Sequence, residues 1–143
     1  MKFKYIFFLP FLMMLAAACS KPPVSDTPVA VPTGTFAGSF YRLRYNTAKV
    51  KYDTLYVPIT VTLSTATGYS VILSDTTLHS PSHGGYSIDA NGMYFNDVTY
   101  TKITIPTKPH LVGTYVYAYD GTTLQLQQTY SDTLGFFYNL KKQ

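Results

Sequence analysis

The side chains of this chain that could do chemistry are three histidines, seven aspartates and a cluster of basic residues around Asn46-Thr47. His79 and His83 bracket Ser80-Pro81-Ser82. On a helix that spacing would put both rings on one face, but Pro81 and Gly84-Gly85 predict a loop. A zinc site needs three or four nitrogen, sulfur or oxygen ligands within reach. His110 follows Pro109 in a different loop, and Asp75 is the nearest additional oxygen donor in sequence. We therefore expect surface-loop histidines and no metal or other cofactor. The chain carries no Gly-x-Ser-x-Gly elbow, no His-Glu-x-x-His and no phosphate loop. Nothing in the spacing of Asp75, Asp89 and Asp97 proposes an acid–base pair. The expectation is a protein that is not an enzyme.

The basic residues suggest a different chemistry. A two-residue loop at Asn46-Thr47 would pair Leu43 with Val50 and Tyr41 with Tyr52. It would set Arg44 opposite Lys49 and Arg42 opposite Lys51. Like charges directly across two strands repel. Four of them on one face would invite an anion, such as lipid or lipopolysaccharide phosphates, or an acidic partner. The plainer reading is a solvated basic edge that discourages aggregation. The apolar phase also flips on both strands, near Phe40-Tyr41 and near Asp53-Thr54, which predicts a bulge and a projecting tip.

The elements that must position these residues read as strands. Leu55, Val57, Ile59, Val61 and Leu63 alternate with Tyr56, Pro58, Thr60 and Thr62, which is the period of a half-buried strand. Pro58 removes a ladder donor and predicts an edge, bulge or strand end. Asn91-Gly92 is a hairpin turn signal that would pair Ile88 with Phe95 and Ala90 with Met93. Asp120-Gly121 would pair Tyr117 with Leu124 and Tyr115 with Leu126, leaving Val116 opposite Gln125. About eight strands follow, over 35–45, 49–63, 68–74, 84–90, 93–105, 112–119, 122–130 and 134–141. Short connections make sequence neighbours spatial neighbours. The expected fold is all-β, an eight-stranded antiparallel meander barrel, with an open β-sandwich as the alternative. Phe36, Phe40, Tyr115, Tyr117, Phe136 and Tyr138 would face its interior. They would line a cavity for one small apolar ligand or fill a packed core.

Cys19 is the single cysteine, so no intramolecular disulfide forms. Lys2 and Lys4 precede an apolar stretch from Tyr5 to Met14, and Leu15-Ala16-Ala17-Ala18 leads to Cys19. That order is a secretory signal with a small-residue cleavage site. The apolar run is shorter than the roughly 20 residues a membrane span needs, and Pro10 interrupts it. A cysteine in this position resembles the bacterial lipobox, although Leu15 stands four residues ahead of it rather than three. The resemblance implies cleavage before Cys19, lipidation of its sulfur, and membrane attachment through acyl chains. Ser20 in place of Asp after the cysteine implies the outer membrane. The periplasmic side is the expected address and surface exposure the alternative.

The chain then divides into a signal at 1–18, a lipidated cysteine and Pro-rich tether at 19–33, and a β-domain at 34–143. Pro22, Pro23, Pro28 and Pro32 favour an extended tether, which could reach roughly 40 Å. Lys and Arg total 11 against 7 acids, and without Lys2 and Lys4 the balance is 9 against 7. That is too mild a charge to indicate nucleic-acid binding. Lipobox, tether, a Gly34-Thr35-Phe36 entry and about eight meander strands together resemble the small lipocalin-like lipoproteins of Gram-negative envelopes. The resemblance implies a lipid-anchored barrel that binds a lipid or other apolar molecule. The alternative is a protein-interaction module, such as an inhibitor, adhesin or envelope-complex subunit. It would use the basic hairpin and exposed tyrosines.

Overall fold

The computed structural model describes residues 30–100 and 108–143. The signal-like segment, Cys19 and most of the tether lie outside the described residues, as does the stretch 101–107. The described chain forms eight strands: β1 (Gly34–Asn46), β2 (Lys51–Ser64), β3 (Gly68–Ile72), β4 (Ser82–Asp89), β5 (Gly92–Asp97), β6 (Gly113–Tyr119), β7 (Thr123–Ser131) and β8 (Leu134–Lys142). Each pairs antiparallel with the next, and β8 returns to β1. The result is a closed meander barrel, not a sandwich. No described helix is long and apolar enough to cross a membrane.

Alternation decides which residues fill the barrel. Phe36, Phe40, Val57, Ile59, Val61, Leu63, Leu124, Leu126, Tyr138 and Leu140 point inward and are buried. Aromatic rings then bridge the interior in a continuous chain. Tyr69 meets Phe95 at 5.0 Å, Phe95 meets Tyr115 at 5.7 Å, and Tyr115 meets Tyr138 at 5.6 Å between centroids. Tyr138 meets Phe40 at 5.0 Å, and Phe40 meets Phe136 at 5.6 Å. The edge-to-face and tilted arrangements suit ring quadrupoles, and each buried ring contributes roughly 1.5–3 kcal/mol of burial energy.

The three predicted hairpin registers all slip, each by an even number of residues. The β1–β2 ladder runs unbroken from Gly34 opposite Leu63 to Asn46 opposite Lys51. No bulge interrupts it where the apolar phase flips. The turn spans Thr47 to Val50, so Arg44 lies opposite Asp53 and Arg42 opposite Leu55. The stack of four like charges is therefore absent. In the β4–β5 hairpin Asp89 pairs with Gly92, Ile88 with Met93 and Tyr86 with Phe95. The Asp89 carboxylate accepts the backbone N–H of Asn91 and Gly92 and draws the turn one residue earlier. In the β6–β7 hairpin Tyr119 pairs with Leu124, Tyr117 with Leu126 and Val116 with Gln127. There Asp120 Oδ1 accepts the N–H groups of Thr122 and Thr123, stabilising a four-residue loop. An even slip keeps every side chain on its face, so the core survives the correction.

The two ends of the barrel differ. The chain enters β1 at one end, which also carries the tight turns 65–67, 90–91 and 120–122. The other end carries the β1–β2 turn, the β3–β4 loop, the β5–β6 connection and the β7–β8 turn. Here two loops fold inward as a plug. Leu111 is fully buried, and its carbonyl accepts the Tyr69 hydroxyl at 2.5 Å. Ser80 N donates to the Pro109 carbonyl at 2.9 Å and ties the loops together.

Candidate functional site

The interior offers side chains rather than space. Phe36, Phe40, Tyr115, Phe136 and Tyr138 are buried as a packed aromatic cluster, and Tyr117 is half-buried against it. His79 joins them, contrary to the expectation of a surface histidine. The β3–β4 loop carries its ring under the plug, where it is fully buried. The Nδ1–H donates to the Ser80 carbonyl at 2.6 Å, so Nε2 accepts the Tyr138 hydroxyl at 2.7 Å. The Phe40 ring packs edge-on at 4.7 Å. Burial pushes the His79 ring down to about 4, against the Ser80 carbonyl that favours its charged form. The Tyr115 hydroxyl, by contrast, is buried with no partner in good hydrogen-bond geometry among the described residues.

The other candidate ligands are scattered. His83 is exposed on β4. His110 Nδ1 pairs with Asp97 Oδ2 at 2.7 Å, and Asp97 also holds the Thr99 hydroxyl and N–H. Asp75 holds the N–H of Thr77, which keeps its carboxyl below the ordinary range. Asp89 serves the turn at the opposite end of the barrel. Among the described residues no three metal-ligating side chains come together.

Where the apolar phase flips, the outside of the barrel becomes apolar. Tyr41, Leu43, Tyr52 and Phe137 point outward from β1, β2 and β8 and line a groove of about 620 Å³. Tyr41 lies between Tyr56 and Phe137, with ring centroids 6.1 Å away on each side. Gly135 forms part of the groove floor. A Cβ built on Gly135 would meet only the Gln128 carbonyl oxygen, at 3.8 Å. The Tyr52 hydroxyl reaches across to donate to the Asp132 carbonyl at 2.6 Å, closing the upper end of the groove. Beyond Tyr52, β2 offers an open flank. β3 pairs with β2 only from Thr60 onward, so among the described residues the largely exposed stretch Lys51–Tyr56 is laddered on the β1 side alone. Sequence reasoning had already set Tyr41 beside Tyr52, but only the unbroken register puts Tyr56 and the Phe137 of β8 on either side of Tyr41.

The four predicted cations separate. Lys49 pairs with Asp53 at 3.2 Å, and Asn46 Nδ2 donates to the same carboxylate at 2.6 Å. The Asn46 and Lys49 contacts hold the Asp53 carboxyl below its usual range. Lys51 is exposed. Arg42 and Arg44 instead follow the inward phase of β1 past the packed core to the loop end. There they line a second cleft, of about 520 Å³, with Lys108, His110, Tyr130 and Phe136. Tyr130 reaches it because β7 slips register between Thr129 and Ser131, turning the ring against Phe136 at 5.1 Å. Sequence reasoning missed Lys108 and Tyr130, which no local pattern links to β1. Comparison of the chain with protein families, with curated proteins and with solved structures returns no match in any of the three.

Proposed function

We propose that this chain is a lipid-anchored, non-enzymatic binding module of the bacterial outer envelope that recognises a protein partner on its outer wall. The observation that carries the reading is the pairing of a ring-filled interior with an apolar groove of about 620 Å³ on the outside. A barrel that carries an apolar ligand keeps space at its centre, whereas here the centre is bridged by Tyr115, Tyr138 and Phe40. Contiguous exposed aromatic surface marks sites of association, and tyrosine supplies contact area at low entropic cost. The open flank of β2 beside the groove suits an extended partner segment, which would add as a strand and lay its outward side chains beside Tyr52 and Tyr56. The acyl anchor at Cys19 and the Pro-rich tether keep the module on the membrane while leaving the wall accessible.

A photo-crosslinking residue at Tyr56, in cells, tests the recognition surface. One discrete protein adduct is expected, and it disappears when Gly135→Phe fills the groove. An adduct indifferent to Gly135→Phe, or an equal one from a probe at Tyr94 on β5, refutes the reading. Cys19→Ser tests the anchor separately: the protein should leave the membrane fraction.

A further inference from the structure

Arg42 and Arg44 occupy an unusual position. They stand on the same phase as Phe36 and Phe40, directed to the barrel axis, but one and two steps above the last buried ring. Their lateral neighbours on β8 are Phe136 and Leu134. On β2 they are Leu55 and Asp53, and the Asp53 carboxylate is engaged by Asn46 and Lys49. Among the described residues neither guanidinium has a carboxylate within ion-pair distance. Lys108 faces the same cleft, and His110 is already held by Asp97. Among the described residues, three cations that make no ion pair therefore border one recess whose remaining walls include the apolar faces of Tyr130 and Phe136.

We infer that this loop-end cleft binds a phosphate or sulfate group carried on a compact apolar body, the oxyanion held by Arg42, Arg44 and Lys108 and the body resting on Tyr130 and Phe136. Guanidinium forks match the geometry of a tetrahedral oxyanion with paired N–H donors. The rings desolvate the ligand's apolar part and strengthen the charge contacts by excluding water. A cleft of about 520 Å³ is in the range that encloses a small molecule. This site lies on the other side of the β7–β8 turn from the outer groove and does not depend on the partner proposed there.

Calorimetric titration of the full-length chain in a neutral, phosphate-free detergent tests the inference. The probes are phenyl phosphate, inorganic phosphate and phenol. Phenyl phosphate should saturate one site, bind about tenfold tighter than inorganic phosphate, and weaken as salt rises from about 50 mM to about 500 mM. Phenol should give no saturable heat. Arg42→Gln with Arg44→Gln should weaken phenyl phosphate by at least about tenfold. Tyr130→Ala should erase the preference over inorganic phosphate. Arg44→Lys retains the charge, so an intermediate affinity there with an unchanged melting curve separates lost binding from lost folding. Displacement of phenyl phosphate by dihexanoyl phosphatidic acid would identify a lipid headgroup as the source, and failure to displace it would identify a soluble ester; both keep the site. Non-saturable binding of phenyl phosphate, or an equal loss with Lys51→Gln outside the cleft, would overturn the inference.

Discussion

Acidifying this protein should destabilise it in a window set by His79. In the unfolded chain an ordinary histidine takes up a proton near 6.5, whereas burial holds the native ring neutral down to about 4. Between those values only the unfolded state binds the extra proton, so stability falls as pH falls. The contribution is fully present above about 6.5 and exhausted at about 4. The gap predicts a loss of about 2 kcal/mol near pH 5 and about 3 kcal/mol near pH 4, a large share of a small domain's stability. The lowered carboxyls of Asp53, Asp75 and Asp120 add their own loss only below the ordinary carboxylate value of 3.8. Urea unfolding at several pH values, followed by tyrosine near-ultraviolet dichroism, measures the slope. His79→Gln removes the titration while keeping a group that can bond to Tyr138. The stability advantage of wild type over the variant should shrink from neutral to acid by the amounts above. A difference that stays constant with pH would refute the assignment of a neutral, buried ring.

Other perturbations follow from the same core. Tyr138→Phe leaves His79 Nε2 buried without its donor and should cost about 1–3 kcal/mol, whereas Tyr115→Phe removes an unpartnered hydroxyl and should be neutral or stabilising; thermal melts compare them. Gly38→Ala should open the β1–β8 seam, because a Cβ there would collide with the Asn139 carbonyl oxygen. We expect a loss of about 3 kcal/mol or more, while Gly135→Ala is tolerated. Val50 holds a left-handed backbone at φ 52 in the β1–β2 turn. Replacing this exposed β-branched residue with asparagine should gain up to about 1 kcal/mol, measured by the urea midpoint.

Strand identity was legible because alternation is a local property. Leu55 to Leu63 announce β2 without help from the rest of the chain. Register was less legible, because it depends on which carboxylate captures which turn amide. Asp89 and Asp120 outcompete the Asn-Gly and Asp-Gly rules by accepting the turn N–H groups themselves. The reversal of apolar phase near Tyr41 was also visible, but a bulge was the wrong cause. The ladder simply continues past the filled interior, where the inward phase meets the cleft and the outward phase meets the groove. His79 was unreadable in principle. Its burial depends on a loop crossing to β8, and nothing in Leu78-His79-Ser80 reports that Tyr138 lies 59 positions away with a hydroxyl to offer.

Closure of β8 onto β1 has a consequence for the order of events in making this protein. The ladder that seals the wall joins Phe36 to Lys142 and Arg44 to Leu134, the two extremes of the domain. A chain made from its N-terminus presents β1 first and β8 last. Until the final strand emerges, β1 has a raw edge, and the places later taken by Phe136, Tyr138 and Leu140 stand open to water. Meanders of this kind build neighbour by neighbour, but the seam waits for the whole domain. Synthesis from the N-terminus thus sets a minimum delay before the barrel is sealed, and a chain truncated before β8 would leave β1 unpaired along that seam.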